Sequence, residues 1–146
     1  YSSVGGLCFA ARKVDGTVVT WGNAFAGGDS SSVSGQLTNV EVVYVNPSSF
    51  AAKKTDGTVV TWGNAARGGD SSSVSDQLTN VEVIYGSQFA FAAKRTDGTV
   101  VTWGASGSGG DSSSVSDQLT NVVDIYANAK AFAAKKADGT VVTWGS

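Results

Sequence analysis

The sequence lacks histidine and methionine, and it has a single cysteine and a single proline in 146 residues. Without histidine, no Ser-His or Cys-His pair can form, and histidine cannot serve as a general acid or base. A metal site built from clustered His and Cys ligands is excluded by the same counts. Cys8 has no second cysteine for an intramolecular disulfide, so it does not indicate the compartment. We interpret it as a small residue at the start of a strand.

Long apolar runs and a strong net charge are also lacking. No segment approaches the roughly 20 apolar residues that span a bilayer, and no signal-peptide pattern opens the chain. Ten basic and twelve acidic residues leave a formal charge of −2, so electrostatics give no case for nucleic acid. A soluble or peripheral protein is expected. Because even an initiator methionine is missing, we expect a processed chain or part of a longer one.

A repeat of 41 residues is the main feature that is present. The octapeptide Asp-Gly-Thr-Val-Val-Thr-Trp-Gly occurs four times in register, and no insertion or deletion interrupts the period. A constant period of this size predicts stacked copies of one supersecondary unit. We therefore predict a single repeat domain over 1–146, divided into the units 1–22, 23–63, 64–104 and 105–146.

Each complete unit is predicted to contain three strands. Val81–Tyr85 begins with apolar–polar alternation, Phe91–Arg95 follows a loop, and Thr99–Trp103 returns after an Asp-Gly turn. The Gly-Gly-Asp-Ser-Ser-Ser connector supplies a flexible turn and a helix N-cap candidate, and its apolar spacing favours a short helical turn over a fourth edge strand. In the first unit, residues 3–4 leave only a vestige of the inner strand. The chain is thus predicted to be all-β, with about eleven strands in four blade-like units.

The pattern of an inner strand followed by Phe-Ala-Ala-x-x-x-Asp-Gly-x-Val-Val-x-Trp-Gly resembles the repeat of the regulator of chromosome condensation superfamily. The short, three-stranded repeats of its β-lactamase inhibitor protein II type are the more similar, and the resemblance covers essentially the whole chain. It implies a propeller, which in that family has seven blades, and roles as exchange factors for small GTPases, inhibitors of enzymes or scaffolds. Four units are about half of such a ring. The chain is therefore expected to be part of a longer array, an open arc or smaller ring, or to close with a partner.

A basic pair precedes each Asp-Gly turn, and its first member stands where the superfamily commonly has an aliphatic residue. A buried cation costs several kcal/mol unless it is paired, so we expect these side chains to reach an edge or meet carboxylates. Repetition aligns the pairs along one rim, as a candidate surface for an acidic protein, a phosphate-bearing ligand or lipid headgroups. The competing interpretation is a solvated strand end balanced by the turn aspartates. The eight residues are Arg12, Lys13, Lys53, Lys54, Lys94, Arg95, Lys135 and Lys136.

Periodic aromatic and acidic residues have structural interpretations. A tryptophan that ends a β-branched strand in every unit is expected to pack between blades rather than to stack on bases or sugars. The connector aspartates lack the dense spacing of a calcium loop, which favours turn and capping roles. The irregular loops are Asn46–Ser49, Gly86–Phe89 and Ala127–Lys130. The predicted repeat core comprises Trp21, Trp62, Trp103, Trp144, Phe9, Phe50, Phe91 and Phe132.

The sequence favours a structural or protein-interaction module that is not an enzyme and needs no cofactor or metal. One form of this hypothesis is an accessory or linker subunit of a large, membrane-associated assembly, with protein partners and no nucleic acid. The alternative is a multivalent adhesive or carbohydrate-binding surface protein, which the Ser/Thr-rich loops and periodic aromatics suggest.

Overall fold

The computed structural model describes residue 1 and residues 7–146. Within them, eleven strands form four antiparallel sheets. The first sheet has two strands, β1 (Cys8–Arg12) and β2 (Val18–Gly22). The other sheets have three each, namely β3 (Val40–Asn46), β4 (Ser49–Lys54) and β5 (Val59–Gly63), then β6 (Val81–Gly86), β7 (Ala90–Arg95) and β8 (Val100–Gly104), then β9 (Val122–Ala127), β10 (Ala131–Lys136) and β11 (Val141–Gly145).

The predicted all-β array of blade-like units is therefore confirmed, including the three strands of a complete unit. The expected vestige of an inner strand at residues 3–4 lies outside the described residues. Tyr1 lies opposite Ala10, and the two residues exchange main-chain hydrogen bonds of 2.9 Å in each direction. Tyr44 is paired in the same way with Ala51, the equivalent of Ala10, in the second sheet.

A tight Asp-Gly turn joins the second and third strands of each complete sheet. Gly57 has a φ of +81°, and a Cβ there would lie 3.1 Å from the Cα of Asn80, so both conformation and space favour glycine. The carboxylate of Asp56 accepts hydrogen bonds from the main chain and hydroxyl of Thr58, at 3.0 and 2.6 Å. The main-chain N–H of Val81 donates to the Gly57 carbonyl at 3.0 Å. The turns of the first three units therefore also anchor the next unit.

The connectors contain 3₁₀ helices, which confirms the predicted short helical turn. The longer ones span Ser31–Gln36, Ser72–Gln77 and Ser113–Gln118. Ser71, the residue before one of these helices, does not cap it, because its hydroxyl pairs with that of Thr61 at 2.9 Å. Asp70 forms the turn instead, and its carboxylate accepts a 2.9 Å hydrogen bond from the N–H of Ser72.

The core lies between adjacent sheets. The rings of Phe50 and Trp62 stack with centroids 5.2 Å apart, and they pack against Cys8 and Ala10 of the preceding sheet. The Trp62 indole donates to the Gly27 carbonyl at 3.0 Å, and its two later equivalents make the same bond at 3.1 Å. The array is therefore held together by one interface that recurs three times.

The sides of the first and last sheets that face away from the array are uncovered by any sheet in the described residues. Of the eight predicted core aromatics, six are at most 5% exposed, whereas Phe9 and Trp21 are 38% and 51% exposed. No preceding sheet packs on them, which explains the difference. At the other end, Tyr126 and Val141 are exposed for the corresponding reason.

Candidate functional site

The strands run between two rims of the array. β4, for example, begins at one rim and ends beside the Asp-Gly turn at the other. We call the second the hairpin rim, formed by residues 13–17, 54–58, 95–99 and 136–140. We call the first the loop rim, formed by residues 23–27, 46–49, 64–68, 86–89, 105–109 and 127–130.

The first member of three basic pairs is held within the array. Lys53 Nζ lies 3.0 Å from the carboxylate of Glu41 and donates to the main-chain carbonyl of Glu82 at 2.8 Å. Lys94 Nζ lies 2.6 Å from the Glu82 carboxylate. The two lysine side chains are only 12% and 11% exposed. Arg12 similarly donates from Nε to a carbonyl of the next sheet at 2.7 Å. These cations are therefore engaged by groups of the protein itself.

The last unit departs from this arrangement. Val123 stands where the two preceding units have Glu41 and Glu82, and Lys135 is exposed. No ion pair of Lys135 occurs among the described residues. The exchange of glutamate for valine removes the ion-pair partner within the sheet, and no sheet follows the last one in the described residues, so this lysine is not held between sheets.

The second members of the pairs lie on the hairpin rim, where each is close to a turn aspartate. Lys13 Nζ lies 4.0 Å from the carboxylate of Asp15. The Nε of Arg95 is buried and makes no hydrogen bond within the described part of the chain. The structure thus does not bring all eight basic residues into one surface. Four lie on a rim of mixed charge, namely Lys13, Lys54, Arg95 and Lys136.

Hydrogen bonds from threonine lower the pKa of the hairpin-rim aspartates. At Asp56 the largest cause is the hydroxyl of Thr58, followed by its main-chain N–H, and the charge of Lys54 adds to them. The pKa values of the three equivalent carboxyls are lowered for the same reasons, at Asp15, Asp97 and Asp138.

We expect these carboxyls to make the fold acid-sensitive. Their pKa is lower in the folded than in the unfolded chain, so their stabilisation is fully present above the unfolded value of about 3.9. It is lost as the pH falls towards the folded value. Melting temperatures between neutral pH and about pH 2 should fall less steeply for the double variant Asp56→Asn/Asp97→Asn than for the unchanged chain. Parallel curves would contradict this assignment.

The loop rim differs from unit to unit. Phe25 is 85% exposed and stands where the later units have Ala66 and Gly107. The guanidinium carbon of Arg67 lies 4.2 Å from the centroid of the Phe89 ring, a cation–π contact. Among the loop-rim residues, all of them described, the charged side chains are those of Arg67 and Lys130. This rim is therefore aromatic and weakly basic.

The irregular loops are recognisable in the sequence, but Phe25 and Arg67 were not predicted as candidate contacts. Both residues differ from the residues at the equivalent positions of the other units. A comparison of the connectors position by position would therefore have found them. The carbonyl of Arg67 accepts hydrogen bonds from the side chains of Asn46 and Ser49, both at 2.8 Å. The fold therefore holds this connector in a defined position beside the neighbouring loop.

Two equivalent grooves of mixed polar and apolar lining lie along the outer edge of the array. Each has a volume of about 400 Å³ and lies between the 3₁₀ helix of one connector and the serine-rich start of the next. The tryptophans at their floors, Trp62 and Trp103, are each 2% exposed. The side chains that line one groove include Ser73, Gln77, Thr102, Asp111 and Ser112. Such walls offer hydroxyl, amide and carboxylate groups, but no exposed ring face.

One inner-strand tyrosine also joins two sheets through a hydrogen bond. Tyr85 Oη donates to the Asp124 carboxylate of the next sheet at 2.9 Å. Burial, together with that carboxylate, raises the pKa of Tyr85 to about 12. This phenol is therefore a neutral donor at physiological pH, and we assign it a packing role.

The described residues offer few other kinds of site. No group of three or more carboxylate or thiol side chains that could hold a metal ion occurs in residue 1 or residues 7–146. The same residues include no helix that is long and apolar enough to cross a membrane. The thiol of Cys8 is buried, with Sγ 2.8 Å from the carbonyl oxygen of Ala26.

Comparison with known proteins shows similarity in structure. The sequence matches no protein-family model and no curated protein. Yeast RCC1 (Prp20), solved bound to Kap60, is similar with a TM-score of 0.63 and 18% identity over 94% of this chain and 40% of that one. Human WBSCR16 has a TM-score of 0.60 and 17% identity over 94% and 45%. The computationally designed Ika4 protein has a TM-score of 0.52 and 17% identity over 98% and 88%.

These similarities show an RCC1-like β-propeller repeat fold, which confirms the resemblance drawn from the repeat. The chain forms about four blades of such a propeller and spans about two fifths of the yeast protein. Proteins with this fold include protein-binding ones, since a second yeast RCC1 (Prp20) structure is described with binding properties to Gsp1p and histones.

Proposed function

We propose that this chain is a non-enzymatic protein-interaction module that binds a protein partner through the loop rim. The observation that carries the proposal is the contrast between the units. Their packing residues are nearly constant, whereas the loop rim changes from unit to unit and exposes Phe25 almost fully. A partner that binds in one defined position along the array must contact features that differ from unit to unit. Identical features would allow it to bind equally well at any unit.

The chemistry of the loop rim supports a protein as the ligand. Aromatic residues and arginine are enriched at the centres of protein interfaces, and Phe25, Arg67 and Phe89 supply both. The rim carries cations and no carboxylate within its described ranges, so its charge complements an acidic surface of the partner. The reported binding of Kap60, Gsp1p and histones by yeast RCC1 is a parallel for the fold.

A finer proposal is that the chain serves as an accessory or linker subunit of a large assembly that is associated with a membrane. An array with two different rims can contact one partner on each, and the basic residues Lys13, Lys54, Arg95 and Lys136 are the candidate contacts of the hairpin rim. Each lies near a turn aspartate, which suits a partner surface of mixed charge better than a uniformly anionic one.

Affinity capture from the native source tests both rims. The unchanged chain is compared with a loop-rim variant, Phe25→Glu/Arg67→Glu, and with a matched hairpin-rim variant, Lys54→Gln/Lys136→Gln. We expect a partner protein to be retained by the unchanged chain and the hairpin-rim variant and lost by the loop-rim variant. If only the hairpin-rim variant fails to retain the partner protein, the contact lies on the hairpin rim and its basic residues. Equal retention of the partner protein by all three chains would contradict binding through either rim.

The second candidate function is multivalent binding of carbohydrate, which the two equivalent grooves favour. Their hydroxyl, amide and carboxylate groups can hydrogen-bond a sugar, and repetition at the same spacing increases avidity for a polymer. A glycan array with the unchanged chain and the variant Gln36→Ala/Gln77→Ala tests it. Carbohydrate binding predicts a signal that the variant loses, and an array without signal removes this candidate.

A further inference from the structure

The outer edge of the second sheet is a row of unpaired main-chain groups. Beside the turn, the N–H of Lys54 donates to the carbonyl of Thr58 at 2.9 Å. Hydrogen-bonded and non-hydrogen-bonded pairs alternate along an antiparallel ladder, so the N–H and C=O groups of Val59 and Thr61 in β5 point away from β4. These main-chain groups make no hydrogen bond to any described residue. The edge is therefore free to pair with another strand.

This edge forms the floor of a groove. All five residues of β5 line one of the two outer grooves, whose walls are the 3₁₀ helix of Ser31–Gln36 and the serine-rich start of the next connector. β8 takes the same place in the equivalent groove, where Val100 and Thr102 present the unpaired groups. Both grooves lie inside the array, between connectors of successive units. Neither strand has the charged residues or prolines that usually protect an edge.

We propose that each groove binds an extended peptide segment of a partner protein, which adds to the sheet as a fourth strand. The main chain of such a segment pairs with that of the edge strand, and these bonds supply the affinity. Donors and acceptors at strand spacing match a second peptide chain, and a sugar ring carries no such repeat. Walls on both sides favour one extended segment over the edge of another folded sheet. Neither rim takes part, so this binding holds or fails independently of the loop rim.

The walls of the groove determine which side chains the segment carries. One wall has Val33 and Gln36, and the other has Asp70, the one charged side chain among the described residues that line this groove. Hydrogen bonds from the side chain and the N–H of Ser72 lower the pKa of Asp70, so its carboxylate is charged at neutral pH. Successive side chains of a strand point to opposite faces. We therefore expect a basic residue towards the Asp70 wall, next to an apolar residue towards the Val33 wall.

Selection from a library of displayed linear octapeptides tests the proposal on the 146-residue chain. We expect enriched peptides in which basic and apolar residues alternate. A synthetic form of the enriched peptide is then N-methylated at one residue at a time, and its dissociation constant is measured by fluorescence polarisation. Methylation at every second residue should raise the constant by about tenfold, because it removes an N–H that donates to the edge strand. Methylation at the residues between them should have little effect, a pattern specific to strand addition.

Variants of the chain locate the bound peptide. Asp70→Asn/Asp111→Asn should raise the dissociation constant by up to about fivefold, as for an exposed ion pair. Asparagine keeps the side-chain oxygen that accepts from the connector N–H, and circular dichroism verifies that the variant is folded. The matched control is Asp56→Asn/Asp97→Asn, which removes the same charge from the hairpin rim and should leave peptide binding unchanged.

Amide exchange followed by NMR gives a second measurement. The N–H groups of Thr61 and Thr102 should exchange rapidly in the free chain and slowly with the peptide bound, since strand addition pairs them. The loop-rim variant Phe25→Glu/Arg67→Glu should bind the peptide as the unchanged chain does. A library without enriched peptides, an N-methyl series without a period of two, or loss of binding in the loop-rim variant would overturn the proposal. A glycan that occupies the grooves when no peptide binds them would overturn it as well.

Discussion

Trp103→Ala is expected to lower the free energy of unfolding by about 3–5 kcal/mol, the usual range for a buried tryptophan. The side chain is 2% exposed and stacks on Phe91. Its indole also donates to the carbonyl of Gly68 at 3.1 Å, so truncation leaves that acceptor without its partner in the core. Chemical denaturation followed by circular dichroism measures the change.

Trp21→Ala is the matched control at the equivalent position of the first unit. Trp21 is 51% exposed, and its indole makes no hydrogen bond to any described residue. We expect a loss of about 1 kcal/mol or less, since an exposed side chain loses little burial. Equal losses for the two variants would show that the interface between sheets does not dominate stability.

Gly110→Ala is expected to cost about 3 kcal/mol or more, the upper part of the range for overpacking. A Cβ at this position would overlap the carbonyl of Gly104, with the carbonyl carbon only 2.5 Å away. The overlapping atoms are main chain, so no flexible side chain can move aside. We expect the melting temperature to fall accordingly, or the connector to leave its place on β11.

Gly107→Ala is the control for that variant, three residues earlier in the same connector. A Cβ there meets no heavy atom within 4 Å, and its φ is not in the left-handed region. The substitution should be neutral or stabilise by roughly 0.4–1 kcal/mol, because alanine restricts the unfolded chain. Destabilisation by Gly107→Ala as large as that by Gly110→Ala would contradict the described course of the connector.

The sequence predicted most of the fold because its information is local and repeated. The Asp-Gly turn, the β-branched strand and the closing tryptophan act within a few residues, and the period reveals that each copy meets the same neighbours. The exposure of Phe9 and Trp21 did not follow from this, since it depends on where the array of sheets stops. Which connector residue bonds to the start of the helix also did not follow, because Ser71 bonds to Thr61, a residue of the preceding strand.

The candidate site was less predictable than the fold. The sequence indicated that the basic pairs need carboxylates or an edge, but not which partners they find, because Lys53 reaches the Glu41 carboxylate across a sheet and the main-chain carbonyl of Glu82 across an interface. An interpretation built on the repeated residues also overlooks the residues that differ from the repeat. Phe25 is visible as a departure from alanine and glycine in the other units, but its exposure depends on the turn that carries it.

Hydrogen exchange of the chain, alone and with its captured partner, tests the central claim most directly. Binding through the loop rim predicts slowed exchange at residues 23–27, 64–68 and 86–89, with no change at the hairpin turns of residues 54–58 and 95–99. Protection confined to the hairpin turns, or to the outer grooves, would contradict a protein-interaction module that acts through its loop rim.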